Sequence, residues 1–476
     1  MRRPDERTLA ALKSVVGAGG WLEAAADIAP YLVDFRRLYR GATPLVLRPN
    51  EVGQVARILE ICRRESVAVV PSGGNTGYCG GATPDESGTQ IVIALRRLNR
   101  VRRVDPANDS MIIEAGCTLA EAQGAAHAAQ RLFPLSLGSE GTAQIGGTLS
   151  TNAGGTAVLR YGMMRDLTLG LEVVLPDGRV MSGLKGLRKD NTGYDVKSLF
   201  IGAEGTLGII TAACLKLFPQ PAETAVAIAG TESPRASLEL FARMRRTAGD
   251  ALSTFELMPR RAVELTVEHI PGVANPLDLG TPWFVLMEVA SYHPRQPAGT
   301  LMSDELEEAA AAGIVRDAAL ASSLAQGKAM WKLRESIPEA QRHHGGSLKH
   351  DVSVPLAAIP ALIERGGELV QRLVPEGELI AYGHMGDGNL HFNVSQRPGT
   401  ASEAFLARGA ELEHAVFDLV QELGGSFSAE HGIGRLKAGE LARRADPVEL
   451  ELMRALKRTL DPGNLMNPGK VLLAVE

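Results

Sequence analysis

His384 and His391 lie in the stretch Ile380-Ala-Tyr-Gly-His-Met-Gly-Asp-Gly-Asn-Leu-His-Phe-Asn-Val394, whose centre is Asp387-Gly388. That dipeptide is the strongest short signal for a type I′ hairpin, because the turn needs positive φ at both central positions. Counting outward pairs Gly386 with Asn389, Met385 with Leu390 and His384 with His391. Opposed residues on antiparallel strands have β-carbons about 4.5 to 5.5 Å apart, so the two imidazoles are expected within chelating distance of one ion. Asn393, two residues on, shares their face. Downstream, Ser428-Ala-Glu-His-Gly432 offers Glu430 or His431 to complete a site of two histidines and a carboxylate, with a fourth position open. The plainer reading is a cross-strand histidine pair on a polar surface.

The elements that must position these groups fall into two styles of sequence. Residues 7–40 are expected to be a helical, amphipathic N-terminal segment. From Pro44 a compact βαβ pattern follows: strand Leu45–Leu47, helix Val52–Cys62 and strand Val67–Val70. It runs into Pro71-Ser-Gly-Gly-Asn-Thr-Gly77, and a second glycine and hydroxyl-rich stretch covers Leu137-Gly-Ser-Glu-Gly-Thr142 and Gly146-Gly-Thr-Leu-Ser-Thr-Asn-Ala-Gly-Gly155. Backbone N–H groups in such loops form anion nests, and two of them suit an extended anionic ligand. The spacing is not G-x-G-x-x-G and no helix follows the first loop, so a Rossmann reading fails.

After Pro219-Gln-Pro221 helices and strands of ordinary length alternate, which reads as an α+β cap. They include a helix at 259–268, a long helix at 325–343 and the strand Ser347–Val354. Lys332-Leu-Arg334 and Lys349-His-Asp351 bring cations that the core does not need, and an arginine fork suits a carboxylate. The expected domains are 1–40, 41–220, a cap at 221–425, and a C-terminal segment at 426–476 that returns to complete the site.

A length of 476 residues favours two or more domains, and a hydrophobic content of 45% supplies ample core. The formal charge of −5 gives no general pull on nucleic acid or anionic lipid. Cys62, Cys79, Cys117 and Cys214 form no C-x-x-C pair, which fits reduced core thiols and a cytoplasmic location. No apolar run reaches the ~18 residues of a membrane span. Homodimer is the default assembly.

The motifs P-S-G-G-N-T-G, T-N-A-G-G, G-A-E-G-T-L-G-I-I-T, G-H-M-G-D-G-N-L-H, S-A-E-H-G and N-P-G-K together resemble flavoproteins of the vanillyl-alcohol oxidase and p-cresol methylhydroxylase type. The resemblance is nearest to the FAD-dependent D-2-hydroxyacid dehydrogenases. It implies an α+β fold: a two-subdomain FAD-binding domain and a cap with an antiparallel sheet. It implies that Pro71, Gly73, Gly74, Asn75, Thr76 and Gly77 cradle the FAD pyrophosphate, and that Gly138, Thr142, Gly147, Asn152, Gly155, Ile210 and Asn467 line the rest. Covalent relatives carry a histidine where Asn75 stands, so non-covalent FAD is expected. The resemblance further selects His384, His391 and Glu430 as ligands of a divalent metal, with zinc expected, and His431 as the general base. Arg334, Lys349 and Asn393 would bind substrate. The implied reaction is hydride transfer from a D-2-hydroxy acid to flavin, with the metal polarising the substrate hydroxyl. D-2-hydroxyglutarate is the first expectation; D-lactate or glycolate is the alternative, because Pro338 stands where some relatives place a hydroxyl residue four positions after the arginine. A metal-dependent hydrolase is the alternative of another class. An electron-transfer flavoprotein, a quinone or another carrier would take the electrons.

Overall fold

The computed structural model describes residues 2–278, 280–293, 295–399 and 402–473. The chain forms two units. The first comprises the chain up to Gly155, Gly162–Gln220 and the chain from Glu430 on; the second comprises Thr156–Tyr161 and Pro221–Ala429.

In the first unit, Val46–Leu47, Ile91–Ala94 and Val69–Ser72 make a small parallel sheet, and Trp21–Leu22 pairs antiparallel at its edge. The unbroken apolar runs of these strands match burial on both faces. Helix Val52–Arg64 covers the sheet with Val55, Ile58, Leu59, Ile61 and Cys62, a helical stripe inside the core. A five-stranded antiparallel sheet follows, in the order Val101–Asp105, Ser110–Glu114, Ile209–Lys216, Thr168–Val174, Val180–Ser182. The C-terminal tail returns to the parallel sheet: Val69 donates to the Leu465 carbonyl at 2.8 Å, and Asn467 donates to the Val69 carbonyl at 2.8 Å.

The N-terminal segment differs from expectation. Only Glu6–Val16 is a sustained helix, capped by the Asp5 side chain. Gly17 and Gly19 adopt φ of 68° and 72°, a left-handed geometry that ends it, and a strand pair and short turns take over.

The second unit holds two antiparallel sheets. One has four strands in the order Leu252–Pro259, Trp283–Ser291, Glu223–Thr231, Val315–Leu320; the other has Ser347–Ser353, Asn389–Gln396, Gly377–Tyr382. Helices Pro234–Ala248, Ala298–Ala311, Ile359–Leu373 and Gly409–Glu422 cover an apolar core that both sheets share. The long helix expected at 325–343 is broken into Leu324–Glu335, Ile337–Ala340 and a 3-10 turn Gln341–His344. Pro338 sits in the first turn of the second piece, where its missing N–H costs nothing but where it cannot continue the first. The strand Leu252–Pro259 is not evident from the sequence, and it carries Glu256 within a fully buried run.

Candidate active site

The three-stranded sheet of the second unit sorts its side chains by alternation. Leu390, Phe392 and Val394 are fully buried in the core. His391 and Asn393 therefore stand on the other face. The register puts Tyr382 and Asp351 beside His391, and Ile380 and Lys349 beside Asn393. Polar and charged groups thus share one face with the buried Ile380 and Tyr382, while the other face is sealed in the core.

The expected hairpin register is corrected here. Tyr382, not His384, stands opposite His391. The strand ends because Gly383, at φ 135°, turns away to exchange backbone hydrogen bonds of 2.8 and 2.9 Å with Leu257. Met385–Asp387 then forms a 3-10 turn, and Gly388 at φ 87° closes the connection. A two-residue type I′ turn would have kept His384 in the ladder; the contact with Leu257 wins. The imidazoles still meet, with ring centroids 5.4 Å apart at 76°. Among the described residues they offer ring nitrogens within 4.8 Å of each other, a spacing compatible with one shared metal ion.

Glu256 joins this pair to the expected substrate arginine. Its Oε1 lies 2.6 Å from His384 Nδ1, and its Oε2 accepts from Arg334 Nε at 2.6 Å. Burial alone would push this carboxyl up, but the Arg334 charge and the hydrogen bonds from His384 and Arg334 outweigh it and bring the pKa down to about 2. An ionised carboxylate only accepts, so the nitrogen of His384 facing it carries a proton. A metal would then be bound through Nε2. Arg334 is nearly buried at 6% exposure, and its guanidinium lies 4.9 Å from the centre of the Tyr382 ring.

The neighbouring amides are also held in place. Asn393 donates to Gln341 Oε1 at 2.9 Å, and Gln341 donates to Ser395 Oγ at 3.1 Å. Asn389 donates to Asp351 Oδ1 at 2.9 Å, while Asp351 Oδ1 stands 3.8 Å from His391 Nδ1. Glu256, Gln341 and Asp351 were missed from sequence. Glu256 alone left a signal there, a single carboxylate between Phe255 and the apolar Leu257-Met258.

In the first unit the two glycine-rich loops form one structure. A Cβ on Gly74 would meet the Thr142 carbonyl at 2.0 Å, so the loops touch backbone to backbone. Gly77, Gly138 and Gly147 instead border open space. Ser72 Oγ, Gln144 Oε1 and Asn467 Oδ1 are buried with no hydrogen-bond partner in the protein. Exposed loop backbone beside orphaned polar atoms fits an extended polar cofactor. Pro71 packs against Gly205, and Ile210 is buried in the antiparallel sheet.

Three expected cofactor residues also hold the protein together. Asn75, at φ 52°, donates to the Val33 and Pro30 carbonyls at 2.8 and 3.2 Å. The Asn152 side chain accepts from the Arg165 backbone N–H at 2.9 Å. Asn467 donates to the Gly81 and Glu204 carbonyls at 2.9 and 2.8 Å. Thr76 lies half-buried between Asn75 and Gly77.

The Glu430–Gly434 segment belongs to this unit too. Glu430 accepts from the Gly155 N–H at 2.9 Å. The His431 ring stacks on Tyr78, 4.4 Å between centroids at 21°. Just beyond, the buried Glu204 carboxylate accepts from Ile433 at 2.8 Å and from Gly434 at 2.9 Å. Burial pushes its carboxyl up, against the pull of those two N–H groups.

Comparison with known proteins identifies the family. Residues 220–471 match the family model "FAD linked oxidases, C-terminal domain", and residues 43–183 match "FAD binding domain". D-2-hydroxyglutarate dehydrogenase, mitochondrial, of Bos taurus is 41% identical over 98% of this chain and 84% of its own length. A putative D-lactate dehydrogenase, mitochondrial, of Schizosaccharomyces pombe is 36% identical over 98% of this chain and 90% of its own. The crystal structure of p-cresol methylhydroxylase with substrate bound superposes with a TM-score of 0.75 at 16% identity, covering 98% of this chain and 96% of that one; this likeness concerns the fold.

The cytoplasmic expectation is corrected by these relatives, whose names consistently place them in mitochondria. It rested on four cysteines that are buried free thiols, and such thiols are reduced in any reducing compartment. The FAD family likewise displaces the hydrolase alternative. The chain belongs to the FAD-linked oxidases, among the D-2-hydroxyacid dehydrogenases, flavoenzymes that oxidise the CH–OH group of a D-2-hydroxy acid to the 2-oxo acid.

Proposed function

We propose that the protein is a D-2-hydroxyglutarate dehydrogenase with non-covalent FAD and a zinc ion held by His384, His391 and Glu430. The observation that carries this reading is the pinning of His384 by Glu256 beside His391. An imidazole of committed orientation beside a second one is half of a catalytic zinc site that keeps a position open. Glu430 follows Ala429, whose N–H approaches the Asp351 carbonyl at 3.4 Å, and Asp351 pairs with His391. Consecutive Cα atoms are about 3.8 Å apart, so chain continuity supports Glu430 as the third ligand.

FAD, held by the glycine-rich loops around Gly74 and Gly147, would supply the acceptor for a hydride from the substrate α-carbon. The metal would supply Lewis-acid polarisation of the substrate hydroxyl. Arg334 and Lys349 hold substrate carboxylate, and Asn393, fixed by Gln341, orients the substrate through hydrogen bonding. His431, stacked on Tyr78, takes the hydroxyl proton, the general-base role that histidine most often fills. An external electron carrier would take up the electrons.

The relative of 41% identity supports D-2-hydroxyglutarate. A second reading, D-lactate, is favoured by Pro338, which offers no hydroxyl for a distal carboxylate, and by the Schizosaccharomyces pombe relative. Turnover of D-2-hydroxyglutarate, D-lactate, glycolate and the L-enantiomers with an artificial acceptor tests the choice. The highest kcat/KM for D-2-hydroxyglutarate is expected. A preference for D-lactate would replace that substrate, and activity on the L-enantiomers alone would contradict both readings.

A further inference from the structure

We propose that Glu256 is a positioning residue that locks His384 in the Nδ1–H tautomer while anchoring Arg334, so that one buried carboxylate sets both the metal ligand and the substrate arginine. Glu256 lies in the strand Leu252–Pro259, away in sequence from every expected site residue. It is buried, and its two oxygens divide their work: Oε1 faces His384 Nδ1 and Oε2 faces Arg334 Nε, each at 2.6 Å. The strand itself is tied to the histidine turn, because Leu257 and Gly383 exchange backbone hydrogen bonds.

The chemistry of the two partners makes the arrangement directional. Arginine has donors only and stays charged, so the oxygen facing it must accept. Imidazole can present either a donor or an acceptor at Nδ1. In Glu256→Gln one carboxylate oxygen becomes an NH2 donor. That donor cannot face Arg334, so the amide turns its oxygen to Arg334 and its NH2 to His384. His384 answers by shifting its proton to Nε2, the nitrogen required for the metal. The isosteric change therefore leaves Arg334 held and removes the ligand lone pair. A role in packing alone predicts no such tautomer shift.

The metal arm rests on the reading of His384 as a ligand; the tautomer arm does not. The experiment uses the full-length FAD-loaded protein, wild type and Glu256→Gln, with histidine nitrogens labelled with 15N and the His384 signal assigned from a His384→Gln variant. With metal stripped, wild-type His384 is expected as Nδ1–H and the variant as Nε2–H. Competition with a chromophoric chelator is expected to show Zn2+ bound roughly 10- to 100-fold more weakly by the variant, at unchanged flavin content. Wild-type His384 in the Nε2–H form overturns the proposal even if the variant fails to fold. So does an unchanged tautomer in a folded variant, or Zn2+ affinity equal to wild type. A wild-type protein that takes up no Zn2+ contradicts the metal reading, and the tautomer signals then decide Glu256 alone.

Discussion

The Arg334 guanidinium stands over the Tyr382 ring, 4.9 Å from its centre, on the strand position directly opposite His391. A cation over an aromatic face contributes about 0.5–2 kcal/mol, the upper end when both are desolvated, as here. Tyr382→Leu is therefore expected to raise KM for the 2-hydroxy acid by roughly 3- to 30-fold, with a smaller effect on kcat. Tyr382→Phe keeps the ring and should behave nearly as wild type. Equal damage from both variants would show that the hydroxyl, not the ring, matters.

The glycine loops predict two opposite outcomes from one kind of change. Gly74→Ala drives a methyl into the Thr142 carbonyl and should destabilise the FAD unit outright. Gly147 lies inside helix Ile145–Ser150 beside open space. Gly147→Ala should stabilise the flavin-free protein by about 0.5–1 kcal/mol, since glycine is costly in a helix. If FAD occupies that space, the same methyl weakens FAD binding at least about 10-fold. Thermal melts with and without added FAD measure both; tighter FAD binding by Gly147→Ala would place the cofactor elsewhere.

How much of this was legible depends on whether the cause was local. The strands Val69–Ser72 and Ile91–Ala94 and the helix Val52–Arg64 could be read because periodicity and burial coincide there. The alternation that puts His391 and Asn393 on one face was equally plain. The hairpin register was not, because Gly383 is captured by Leu257 from a strand more than a hundred residues earlier. Glu256 escaped for the same reason: nothing near it in sequence announces that Arg334 and His384 will meet there. The motif glycines were visible, whereas the structural duties of Asn75 and Asn467 depend on carbonyls contributed by distant segments.

Glu204 holds the backbone two and three residues beyond His431. Removing its carboxylate leaves those N–H groups unsatisfied, at about 1–3 kcal/mol each. Glu204→Ala is expected to lower kcat at least about 10-fold by loosening His431, with faster amide exchange at Ile433 and Gly434. Glu204→Gln retains one accepting oxygen and should recover part of the loss. Unchanged kcat in Glu204→Ala would separate that turn from catalysis.

Acid sensitivity of the FAD unit should trace to Glu114. Burial pushes its carboxyl up, but hydrogen bonds from Arg100 and Arg102 prevail and hold it below its usual 4.5. A carboxylate with a depressed folded-state pKa contributes stability that is present above the unfolded value and lost as pH falls through the folded one. Urea midpoints of wild type should therefore drop as pH falls below about 4.5. Glu114→Gln should start lower at pH 7, with Arg100 deprived of this carboxylate and Arg102 left with Glu172 alone, and show a shallower acid loss. Parallel pH profiles would assign the acid loss to other carboxylates.

The account stands or falls on His384. Wild type and His384→Ala, each with its FAD, are mixed anaerobically with D-2-hydroxyglutarate while flavin absorbance, bound metal and 2-oxo acid are followed. Wild type should bleach and form the 2-oxo acid. His384→Ala should keep its yellow flavin, lose the metal and bleach at least about 100-fold more slowly, since Lewis-acid polarisation contributes several kcal/mol. Loss of flavin together with metal, or wild-type bleaching in a metal-free His384→Ala, would contradict the account.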